Sequence, residues 1–122
     1  MKITKIFFHL INLIFLIFYL YPGSIFGFLL YDNLNKQPQV TPDFYFSSNH
    51  LYAFILLTLF GLICHINKKK IIIYFTFISI FLELAHLVVP NRSFQFSDLF
   101  GNIIGLLISI FILKIYKYLE KK

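Results

Sequence analysis

Four apolar runs, each close to bilayer length, alternate along the chain with short polar breaks. The first extends from about Ile3 to Tyr21 and stops at Tyr21-Pro22-Gly23-Ser24, where Pro22 disfavours helical geometry in the residue before it. Ile25 to Tyr31 is apolar but too short to span. It leads into a polar stretch from Asp32 to Asp43 that holds Lys36, Pro38 and Pro42. The second run, about Asn49 to Ile66, ends at Asn67-Lys68-Lys69-Lys70; the third, Ile71 to Val89, ends at Pro90; the fourth runs from Ser97-Asp98 to about Tyr116. A spanning helix needs roughly 20 mostly apolar residues. The pattern therefore predicts an all-α, polytopic membrane protein with four transmembrane helices, over about 3–21, 49–66, 71–89 and 98–116. An interfacial or re-entrant segment follows the first. A single transmembrane domain over 1–122 is expected, since no repeat, low-complexity tract or appended soluble domain is visible.

Composition strengthens that reading. With 59% hydrophobic and only 13% charged residues, the chain is far more apolar than a soluble domain requires. Of its 11 lysines and arginines, Lys2, Lys5, Lys68, Lys69, Lys70, Lys114, Lys117, Lys121 and Lys122 fall at one end of the predicted bundle, leaving Lys36 and Arg92 at the other. Positive residues accumulate on the cytoplasmic side. This predicts a multi-pass protein of the bacterial inner (cytoplasmic) membrane with both termini inside, and makes nucleic acid an unnecessary partner for the net charge of +6. No small-x-small cleavage site follows the first run, which reads as an uncleaved anchor. Cys64 is the single cysteine, so an intrachain disulfide is excluded and a buried, inert thiol is the default.

The informative residues are those that hydrophobicity does not explain. Ionisable groups inside spans are costly and mark functional sites by default. Glu83 and His86 lie three residues apart on one helix face, in the outer half of the third run, roughly in line with Ser79 and Pro90. In the fourth run Asp98, Asn102, Gly105 and Ser109 make a second polar or small stripe. Gly101 and Gly105 form a small-xxx-small pair suited to close helix approach, predicted here to dock on the third helix. Arg92 sits between the two helices, and His50 opens the second span at the same level. His50, Glu83, His86, Arg92, Asp98 and Asn102 are thus expected to converge on an outward-facing pocket. Within it Glu83, too deep to remain an unpaired carboxylate, is expected to couple with Arg92.

Three stretches together resemble a known family. They are Ser47-Ser48-Asn49-His50-Leu51-Tyr52-Ala53-Phe54, then Glu83-Leu84-Ala85-His86, then Pro90 to Gly105 with its ordered Arg92, Asp98, Gly101, Asn102 and Gly105. The set resembles the VanZ-like membrane proteins, over about half the chain. Family members usually carry Asp-Lys shortly before the position of His50 and Gln at that of His86; this chain has Ser48-Asn49 and a histidine. The resemblance implies a role at the cell envelope, the family's namesake being linked to low-level resistance to the glycopeptide teicoplanin.

Bland readings stand beside these. Ser97 and Asp98 suit a helix N-terminus, Arg92 suits an interfacial anchor, and a Glu83–Arg92–Asp98 network can fix geometry without chemistry. His9, Asn12 and His65 read as interhelical hydrogen-bonding residues, and the many Phe and Tyr as lipid-facing bulk and interface anchors. Three functional classes remain open. The first is a protein that binds a lipid-linked or glycopeptide-like envelope molecule through Arg92, Asp98, Asn102 and His50. The second is a small membrane enzyme with Glu83 or His86 as acid or base on a phosphate-bearing lipid. The third is a metal site built from Glu83, His86, His50 and Asp98. A second Glu-x-x-His is absent, so no metal and no cofactor are expected. The partners expected are the lipid bilayer and a lipid-linked envelope molecule, with a homo-oligomer left open, since four short spans form a transport pathway only by assembling.

Overall fold

A computed structural model describes residues 2–122. Among the described residues there are five α-helices and no strand: α1 Lys2–Leu20, α2 Ile25–Tyr31, α3 Ser48–Cys64, α4 Lys68–Ala85 and α5 Phe96–Glu120. The four long helices follow the four apolar runs, and α2 occupies the short apolar segment that follows the first. Two of them, α1 and α5, are long and apolar enough to cross a membrane, with mean hydropathies of 2.0 and 2.1. The apolar α3 is shorter, at 17 residues, and α4 opens with three lysines.

Local chemistry sets the ends of these helices. Ser24 caps α2 by accepting from the Gly27 amide at 2.9 Å. The Ser48 amide and hydroxyl at the start of α3 both donate to Asp43, at 3.0 and 3.2 Å. At the other end of α3 the Lys68 ammonium donates to the carbonyls of Leu62 and His65. It thereby neutralises the negative end of the helix dipole. Asn67 then caps α4 by accepting from the Lys70 amide at 3.1 Å. Helix α4 ends at Ala85, earlier than the run of apolar residues suggests. Leu87 and Val88 donate to carbonyls three residues back, at 3.1 Å each, in a tighter winding that leads into Pro90.

Helix α3 packs against α1, α4 and α5. Phe8, Phe54, Leu62, Phe75 and Leu82 fill the space between α1, α3 and α4, each at most 1% exposed. The glycine pair of α5 does mark a close helix approach, but its partner is α3 and not α4 as the order of the helices suggested. A Cβ on Gly101 would lie 2.7 Å from the Ser47 carbonyl oxygen, and one on Gly105 2.7 Å from that of Leu51. The backbones meet where a side chain would separate them. The two helices adjacent in sequence, α4 and α5, are joined by a looser connection.

Candidate functional site

The polar residues gather where the C-terminal ends of α1 and α4 meet the N-terminal ends of α3 and α5. At their centre is Tyr19, a residue that sequence reasoning assigned to lipid-facing or interfacial bulk. It is 8% exposed. Its hydroxyl donates to Glu83 Oε2 at 2.7 Å and accepts from Asn102 Nδ2 at 2.8 Å. His50 Nδ1 lies 2.9 Å from the same oxygen and 3.0 Å from Asn102 Oδ1. A signal for Tyr19 was present: Phe8, Asn12, Phe15 and Tyr19 share one face of α1 by their spacing of four, three and four. Asn12 makes the interhelical hydrogen bond expected of it, donating to the Tyr74 hydroxyl.

Glu83 is fully buried, and its carboxylate is surrounded by donors. Tyr19 takes Oε2, while the Gln95 amide donates to Oε1 at 2.9 Å and His86 Nδ1 approaches Oε1 at 3.4 Å. The other ring nitrogen of His86, Nε2, donates to the Tyr19 carbonyl at 2.8 Å, and the ring stacks on that of Tyr19 with centroids 4.9 Å apart. Glu83 therefore makes no direct ion pair with Arg92, and of the expected coupling only a longer-range attraction between the two charges is left. Arg92 turns toward the end of α1, donating from Nε to the Tyr21 carbonyl at 3.0 Å and from Nη2 to that of Gly23 at 2.7 Å. The reason is a supply of backbone acceptors just past the last helical residue, Leu20, where the Tyr21 and Gly23 carbonyls take the guanidinium while both Glu83 oxygens already accept from other donors. Desolvation lowers the Arg92 pKa and the nearby Asp98 carboxylate opposes that shift, leaving a charged arginine at physiological pH.

His50 and Asp98 have a different standing. Their side chains are 18% and 17% exposed, and His50 Nε2 lies 3.5 Å from Asp98 Oδ2. Both line a groove of about 1120 Å³ between α1 and α3. Its floor is apolar, from Phe7, Ile11 and Phe15 on one side and Ala53, Leu56 and Phe60 on the other. Its polar end carries Arg92, Gln95 and His86 beside His50 and Asp98. The structure thus brings all six expected polar residues to one end of the bundle and sorts them. Glu83 and Asn102 lie in the interior, and His50, His86, Arg92 and Asp98 reach the groove.

Residues 6–117 match the family described as VanZ/LLP1. The chain belongs to the VanZ/LLP1 family. Compared with curated proteins and with solved structures, it has no match. The match extends the resemblance seen around the three polar stretches to nearly the whole VanZ/LLP1 chain, including α1, which supplies Tyr19.

The donor atoms of His50, Glu83 and Asp98 lie within 4.8 Å of one another, a spacing that invites a metal ion. The Tyr19 hydroxyl already bridges His50 and Glu83, at 2.9 and 2.7 Å. An ion held by His50 Nδ1 and Glu83 Oε2 would have to displace that hydroxyl.

Proposed function

We propose that this VanZ/LLP1 protein spans the bacterial inner membrane four times, with both termini inside, and binds an amphiphilic envelope molecule in the groove between α1 and α3. The observation that carries the reading is the groove's division into an apolar floor and a polar end. From Phe7 to Tyr19 the floor follows about 18 Å of helix α1, room for a lipid chain. The head would then meet His50, Arg92, Gln95 and Asp98. A lipid-linked or glycopeptide-like molecule has this two-part chemistry.

The four-span arrangement is supported by three features. Apolar side chains such as Ile6, Leu13, Ile63, Phe77, Leu107 and Phe111 point outward from all four long helices, a surface suited to lipid. Both α3 and α4, at 17 and 18 residues, reach the short end of the roughly 17–25 residues that a span requires. Nine of 11 cationic residues flank the same helix ends, which favours those ends as cytoplasmic. Binding is favoured over acid–base catalysis by Glu83 because that carboxylate is fully buried, accepts a hydrogen bond on each oxygen and has the His86 ring against it, and so has no open side for a substrate.

The test is to fill the groove. Ala53→Trp, from α3, should abolish co-purification of amphiphiles with the protein extracted in native lipid discs, read by mass spectrometry of the extracted lipid. Lipid retained unchanged by a folded Ala53→Trp protein would reject the groove as the binding place.

A further inference from the structure

We infer that the polar end of the groove is a hydrogen-bond acceptor site, suited to a head group that donates, such as the hydroxyls of a sugar or an ammonium, and unsuited to a phosphate. The inference rests on the groove reading above and deepens it. Its basis is a chain of donors and acceptors that fixes a proton on His50 Nδ1. The Ser79 carbonyl can only accept, and it lies 3.2 Å from Asn102 Nδ2, which orients the amide. Asn102 Oδ1 must then be the atom 3.0 Å from His50 Nδ1. An acceptor there requires that Nδ1 carry a proton. The Tyr19 hydroxyl, its own proton given to Glu83, accepts from the same N–H.

With Nδ1 committed to the interior, His50 in its neutral form presents the lone pair of Nε2 toward the groove. Asp98 Oδ2 is 3.5 Å away, beyond the roughly 2.7–3.2 Å of an N–H···O hydrogen bond. The two atoms form a pair of acceptors with a gap between them. A donor seated there, a diol or an ammonium, would satisfy both, and its bond to the carboxylate would be charge-assisted.

The groups facing this end are Asp43 and Asp98, Arg92, and the two histidines His50 and His86. Arg92, the one guanidinium, already gives Nε and Nη2 to the Tyr21 and Gly23 carbonyls. The Nδ1 of His86 is turned to Glu83. Seated between His50 Nε2 and Asp98 Oδ2, a phosphate would bring only acceptors and negative charge to a lone pair and a carboxylate.

The experiment uses the full chain in lipid discs and three probes that share a twelve-carbon chain: dodecyl maltoside, dodecylammonium and dodecyl phosphate. Displacement of a fluorescent fatty amphiphile reads their affinities. The maltoside or the ammonium should bind about tenfold tighter than the phosphate, the difference one charge-assisted hydrogen bond makes, and whichever wins assigns the head as hydroxylic or cationic. Asp98→Leu should erase the preference. Should that variant fail to fold, Asp98→Asn, which keeps the shape and removes the charge, should narrow the gap between ammonium and phosphate. Phosphate binding as tightly as the other two, or an Asp98→Asn protein with an unaltered gap, would overturn the acceptor site and leave the groove standing. No displacement by any of the three probes would overturn both.

Discussion

The two faces of the polar cluster differ in how fully their hydrogen-bonding capacity is used. On the inner face, Tyr19, Glu83 and Asn102 are each at most 8% exposed, and every polar side-chain atom among them has a partner. On the groove face, the two closest atoms of His50 and Asp98 stand 3.5 Å apart without a hydrogen bond. Membrane interiors penalise an unpaired polar group by several kcal/mol, so saturation on the inner face is what folding requires. Spare capacity on the other face is where a ligand can add something. A titratable residue within a helical bundle is thus a poor guide to function until its partners are counted.

The comparison can be broken at its strongest point first. Glu83→Ala should leave the Tyr19 hydroxyl and the Gln95 amide without their acceptor and cost about 2–6 kcal/mol, as stranding two buried donors does. Thermal unfolding in discs would measure it, and a loss under 1 kcal/mol would mean that the inner face is not the stabilising one. Tyr19→Phe removes only the hydroxyl, and with it a donor to Glu83 and an acceptor for Asn102 and His50. A cost of about 1–3 kcal/mol follows, read in the same assay. The smallest effect is the most diagnostic. In a double-mutant cycle on Glu83→Gln and Arg92→Gln, the coupling should fall within about 0.5 kcal/mol of zero, because Arg92 spends its bonds on the end of α1. A coupling above 1 kcal/mol would restore the direct pairing.

Much of this arrangement was legible in the residues. The helices follow the apolar runs to within a few positions, and the spacing of Glu83 and His86, and of Asp98 and Asn102, placed those pairs on the right faces. What escaped were contacts whose second member carries no signal of its own. Arg92 was assigned to a carboxylate because carboxylates are visible in a sequence, whereas the backbone carbonyls of Tyr21 and Gly23 are not. The glycines of α5 announced a close approach, but Gly101 and Gly105 are symmetric toward any partner, and only the packed bundle selects α3. Tyr19 was hidden by its chemistry: an aromatic ring at the end of an apolar helix is as apt for the membrane interface as for the interior.

The bond from Asn102 to Tyr19 joins residues separated by 83 positions. On a ribosome adding about 5–20 residues each second, that separation is a wait of roughly 4–17 s. Throughout it the tyrosine hydroxyl of the first helix, and later Glu83, have no Asn102 to close the circuit. Assembly of the four long helices is therefore timed by the last of them: α1 can enter the bilayer early, yet it takes its final seat only when α5 has arrived.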